Sequence, residues 1–171
     1  MRTWMALVLV LMAAPWMGMA QEQGAAESPQ RGSVTNLPIP RFVSLKVDEA
    51  NVRRGPSLTH RIDWVFKRKG MPVEIIGEYS NWRRVRDRDG VGGWVHYSLL
   101  TGARSVIVDI DLTPLYQRRD INSPVNAYLE AGVIARAEEC LIDWCLLRAD
   151  GEKGWSTRDG LWGLKPGEVF D

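Results

Sequence analysis

The side chains best suited to metal or nucleophile–base chemistry are few: two histidines, His60 and His96, and two cysteines, Cys140 and Cys145, in 171 residues. His60 stands beside Arg61 in a loop-like stretch and His96 closes the run Trp94-Val95-His96, so both read as structural or solvated groups rather than general bases. No H-E-x-x-H, G-x-S-x-G or Walker loop occurs. Two cysteines are too few ligands for structural zinc. The expectation is a chain that is not an enzyme and that carries no cofactor and no metal.

The elements that must position the remaining candidates begin after a leader. Residues 1–20 carry one basic residue, Arg2, an apolar stretch from Trp4 to Ala14, then Pro15, and small residues at Gly18 and Ala20. This is the layout of a cleaved secretory signal, and Trp4 to Ala20 is barely long enough to anchor in a bilayer and is broken by Pro15. The mature chain is expected in the periplasm or outside the cell, with no stable membrane span after cleavage. Residues 21–40, rich in Gln, Gly, Ser and Pro, read as a flexible linker.

Beyond residue 40 the chain repeats. Gly70, Trp82, Asp89-Gly90 and Gly93-Trp94 recur as Gly132, Trp144, Asp150-Gly151 and Gly154-Trp155, at offsets of 62, 62, 61 and 61 residues. Four anchors in one order indicate two related domains, 41–102 and 103–171. Each is written in short strands with turn signals, and no convincing amphipathic helix follows residue 40. The expected fold is all-β, two small barrels in tandem, with Trp94 and Trp155 packing their interiors and Trp82 and Trp144 open to either a packed or a half-exposed role. The repeat places Cys140 and Cys145 where the first copy has Glu78 and Arg83, facing across a hairpin. A disulfide is the natural reading in an exported chain. A redox-active pair is the alternative, against which the C-x4-C spacing counts.

Ala50-Asn51-Val52-Arg53-x-Gly55-Pro56-Ser57, Lys67-x-x-Gly70-x-x-Val73-Glu74-Ile75-Ile76, Trp82-Arg83-x-Val85 and Gly93-Trp94-Val95-His96-x-x-Leu99-Leu100 resemble the bacterial SH3-like domain. The second copy keeps the glycine and tryptophan elements but shows Leu115-Tyr116-Gln117-Arg118-Arg119 in place of the Asn-Val-Arg-x-Gly-Pro segment. The whole layout is similar to short secreted tandem SH3-like proteins of Gram-negative bacteria. That resemblance implies a non-catalytic module binding cell-wall glycopeptide, peptidoglycan or its peptide stems, or a structural adaptor docking an envelope protein.

Candidate contacts follow from what the repeat does not need. Trp64, Tyr79 and Tyr97 have no aromatic counterpart in the second copy, and Trp82 begins a strand directly after a turn. Residues 41–102 hold 12 Lys or Arg and 7 Asp or Glu, a net of +5, while 103–171 hold 8 and 12, a net of −4. Within the basic half Arg84, Arg86 and Arg88 alternate, as residues on one strand face do, and form a stripe suited to anionic polymers or carboxylates. A basic barrel leaning on an acidic one is the competing reading. Export excludes nucleic acid as a partner, and nothing in the sequence sets an oligomeric state. Mass spectrometry of the native protein is expected to find Gln21 as its first residue; a chain starting at Met1 would contradict the leader.

Overall fold

The computed structural model describes residues 30–171, so the expected leader and residues 21–29 of the expected linker lie outside the described residues. The first repeat contains β1 (Arg41–Leu45), β2 (Glu49–Arg53), β3 (Ile62–Lys67), β4 (Pro72–Tyr79), β5 (Trp82–Arg86), β6 (Gly92–His96), a one-turn 3-10 helix (Tyr97–Leu99) and β7 (Leu100–Thr101). The second contains β8 (Ser105–Val108), β9 (Thr113–Tyr116), β10 (Val125–Leu129), β11 (Ile134–Cys140), β12 (Trp144–Ala149), β13 (Glu152–Thr157) and β14 (Leu161–Trp162). Each forms a seven-stranded antiparallel sheet, ordered β3-β2-β6-β5-β4-β1-β7 and β10-β9-β13-β12-β11-β8-β14. The order is the same strand for strand. No helix among the described residues is long and apolar enough to cross a membrane.

Each sheet wraps a core of aliphatic side chains. Leu45, Val52, Val73, Ile75, Val85 and Val95 fill the first, and Val106, Val108, Leu115, Leu147 and the bonded pair Cys140–Cys145 fill the second. The hairpin alignment holds: Glu78 pairs with Arg83, and Cys140 with Cys145. Turn chemistry fits the chain at the β12–β13 hairpin. Asp150 and Gly151 both take positive φ, 50° and 90°, as a two-residue connection between paired Ala149 and Glu152 requires. A β-bulge interrupts β4 at Ile76 and β11 at Glu138, 62 residues apart.

Two expectations need correction. Trp94 and Trp155 do not pack the cores; each is only partly buried. Side chains alternate along a strand, and in β6 the inward positions are Gly93 and Val95, which turns Trp94 outward. Gly154 and Ser156 do the same to Trp155. Gly93 stands where β6 meets β2 at Arg53, and a Cβ there would lie 2.6 Å from the Arg53 carbonyl oxygen; at Gly154 it would lie 2.8 Å from Leu115 Cβ. The glycine thus permits the sheet to close on itself.

The other correction concerns residues 30–40, which are not a free linker. Arg31 pairs with Pro38 in a tight turn, and Ile39, 6% exposed, joins the first core. The buried Glu78 carboxylate accepts hydrogen bonds from the Val34 and Thr35 backbone N–H groups and the Thr35 hydroxyl, and pairs with Arg41 at 2.7 Å. Arg83, the partner expected from the hairpin, stands at 3.7 Å. Burial opposes ionisation of Glu78, but the bonds from Thr35, Arg41 and Val34 outweigh it and hold the carboxyl at about 2. A carboxyl depressed from 4.5 stabilises the fold above its unfolded value and loses that contribution as pH falls from about 4.5 towards 2. Glu78→Gln is therefore expected to lower the Tm at pH 7 and to flatten its fall over that acid range; equal acid sensitivity in both proteins, by thermal melts at pH 3 and 7, would contradict this role.

Candidate functional site

Strands β5 and β6 run side by side with Trp82 opposite His96, Arg84 opposite Trp94 and Arg86 opposite Gly92. These pairs share the outer face, because Val85 and Val95 point inward at 1% and 0% exposure. The strip has two depressions end to end. One, of about 580 Å³, is bounded by Arg54, Ile76, Arg84, Arg86 and Trp94 over a floor of Gly92 and Gly93. The other, of about 360 Å³, lies between Pro56-Ser57-Leu58 and Trp82 with His96.

Backbone demands shape both. A Cβ on Gly92 would collide with the Val85 carbonyl oxygen, so the floor beside Trp94 stays bare. The bulge at Ile76 sets an apolar wall there. Arg53 donates to the Leu58 and His60 carbonyls at 2.9 and 2.7 Å, and so ties down the loop that carries Pro56 and Ser57. His96 Nδ1 bonds Ser98 Oγ at 2.8 Å and caps the 3-10 turn, while its ring meets Trp82 edge-on at 5.4 Å.

Charge on the strip is mostly positive. Arg86 pairs with Glu74 at 2.6 Å and Arg54 with Asp63 at 3.1 Å, whereas Arg84 has no carboxylate partner among the described residues. The Arg61 hydrogen bond, helped by Arg54, holds the Asp63 carboxyl below the usual range. Among the described residues no cluster of three His, Cys, Asp or Glu side chains is arranged to hold a metal.

The candidate residues from the sequence fall into three groups. Trp82, Arg84 and Arg86 lie on the strip, Trp82 as a buried wall at 9% exposure. Tyr79 and Tyr97 flank its Trp82 end: Tyr79 pairs with Trp82 across the hairpin, and Tyr97 packs on His96 at 5.0 Å. Trp64 is exposed on the edge strand β3, outside both depressions. Arg88 leaves the stripe because β5 ends at Arg86; it bonds Asp109 of the second barrel at 2.7 Å. Trp94, Ile76 and Gly92 are the members that sequence reasoning missed. The two-residue period through Gly93-Trp94-Val95 carried the signal for Trp94.

The second barrel builds the same strip differently. Trp155 is flanked by Leu146 and Tyr116 where Trp94 has Arg84 and Arg53, and Arg119 covers its ring at 5.1 Å. At the bulge stands Glu138 instead of Ile76, bonded to Arg148 at 2.7 Å and Lys153 at 2.6 Å. Those two bonds, Arg148 first, hold the Glu138 carboxyl at about 2. Lys153 takes the place of Gly92, so an ion-pair triad covers the surface that is bare in the first barrel.

A family model for the bacterial SH3 domain matches residues 46–102 and again residues 111–163. No curated protein matches the chain. Among solved structures, it is similar to NlpC2 from Trichomonas vaginalis, at 14% identity and a TM-score of 0.33 over 71% of this chain and 47% of that one. It is also similar to NlpC1 from the same organism, at 13% identity and a TM-score of 0.34 over 77% and 49%. The chain spans about half the length of those two proteins.

Trp94→Ala is expected to cost about 1 kcal/mol of stability, because the ring is outside the core. Gly93→Ala is expected to cost at least about 3 kcal/mol through the clash with Arg53. Urea unfolding that ranks the two in the opposite order would contradict the placement of the ring and the glycine.

Proposed function

Since the chain belongs to the bacterial SH3 domain family, we propose that it is a non-catalytic exported module that binds cell-wall peptidoglycan, or its peptide stems, through the β5–β6 strip of its first barrel. Domains of this family are commonly cell-wall-binding modules. The observation that carries the reading is the contrast between the repeats: the strip is bare and arginine-lined in the first and covered by the Glu138 triad in the second.

The chemistry fits in two ways. Peptide stems present carboxylates, which Arg84 can pair with without first breaking an ion pair, and the bare glycine floor admits a backbone close to the Trp94 ring. Tyr79 and Tyr97 add exposed ring faces at the far end of the strip. His60 and His96 supply no base for a nucleophile in this reading; His96 is held by Ser98 and Trp82, and the His60 ring lies where a side chain on Gly55 would be.

The full mature chain is expected to sediment with purified insoluble peptidoglycan, and to be released by Arg84→Glu or by raising salt, since screening shortens to about 8 Å at physiological ionic strength. Protein that remains in the supernatant at low salt would overturn the reading. That result would instead favour an adaptor for an envelope protein, a role for which the fixed junction between the barrels speaks. Across it Arg104 donates to the Phe42 carbonyl, and Phe42 meets Trp162 edge-on at 5.1 Å.

A further inference from the structure

The junction between the barrels encloses space as well as contacts. Ser44 Oγ on β1 and Ser105 Oγ on β8 are in hydrogen-bond contact, and Ser105 donates onward to the Gly70 carbonyl. Arg104 of the second barrel donates to the Phe42 carbonyl of the first, and Arg88 is tied to Asp109 at 2.7 Å. These bonds set the two barrels at a fixed separation, and beside the serine contact they leave a cleft of about 540 Å³. It is distinct from the β5–β6 strip and shares no lining residue with it.

The cleft has an apolar floor and a cationic rim. Ile134, half-buried, and Ala103, exposed, supply the apolar surface of the floor, beneath which Leu45 and Ala149 belong to the two cores. Lys46, Lys69 and Arg136 stand on the rim, all exposed and none with a carboxylate partner among the described residues. Asp150 is the one acidic group lining it among the described residues. Arg136 belongs to a barrel whose net charge is −4, so this cation lies against the sign of its own domain and beside two lysines of the other. With Asp150 as the one acidic group beside them, these three cations leave the rim with an excess of positive charge, which an anion in the cleft offsets. The apolar floor rewards a ligand with aliphatic groups, which a bare polyanion does not have.

We propose that the inter-barrel cleft is a second, composite binding site for an acidic peptide, with an aliphatic side chain against Ile134 and Ala103 and carboxylates paired to Lys46, Lys69 and Arg136. Neither barrel alone has the site. Its existence does not depend on peptidoglycan binding by the first-barrel strip.

The test is fluorescence anisotropy with the full chain and a labelled peptide of alternating glutamate and leucine, in low salt. An alternating glutamate and serine peptide and inorganic polyphosphate serve as competitors. The leucine peptide is expected to bind, the double variant K69E/R136E to bind it at least tenfold more weakly, and Arg84→Glu to bind it as wild type does. Both variants change exposed side chains, and circular dichroism verifies that they fold. No binding of the leucine peptide would overturn the proposal. So would equal loss in Arg84→Glu, which moves the peptide to the strip, or competition by the serine peptide or polyphosphate as strong as by unlabelled leucine peptide, which reduces the effect to charge alone.

Discussion

Everything in each barrel hangs on one close approach, where β6 crosses β2 at Gly93 and β13 crosses β9 at Gly154. The backbones come so near that a methyl group does not fit. From that constraint the rest follows by alternation. The residue after the glycine must face out, which puts Trp94 and Trp155 on the surface, and the next must face in, which gives the buried Val95 and Ser156. The large ring is available for recognition because the core at that point has been given over to backbone packing.

Divergence between the copies then acts on the outer face without disturbing the closure. The strand order, the bulge and the glycine–tryptophan step are held in both. What changes is the row around the ring: Arg53, Arg84 and Ile76 in one, Tyr116, Leu146 and Glu138 in the other. At the hairpin end of β4 and β11 a different exchange has occurred. Glu78 became the anchor of the segment before β1, while its counterpart Cys140 is closed into a disulfide and pairs with Phe170 near the C-terminus. The same sheet position fastens an N-terminal segment in one barrel and a C-terminal one in the other.

Much of this was legible in the sequence, and the misses have physical causes. The repeat offsets gave both barrels, and the hairpin alignment gave the Cys140–Cys145 bond, because covalent spacing and turn residues are local. Size alone favours the core for Trp94 and Trp155, but the period of two through Gly93-Trp94-Val95 puts the ring outside. The order of residues 30–40 was hidden because composition reports only what a segment can bury by itself, and here the capacity to hold it sits more than forty residues away in Glu78. The stripe is one arginine shorter than the alternation suggests, since alternation in sequence does not show where a strand ends, and Arg88 turns toward Asp109.

The proposed recognition surface is the arginine-lined face around Trp94 and not the face around Trp155. Chemical-shift mapping of the full mature chain with soluble muropeptides tests it most directly. Shifts are expected to concentrate at the Gly92 and Gly93 amides and the Trp94 indole, with the Trp155 indole unmoved. Shifts centred on Trp155, Tyr116 and Leu146 instead would contradict it.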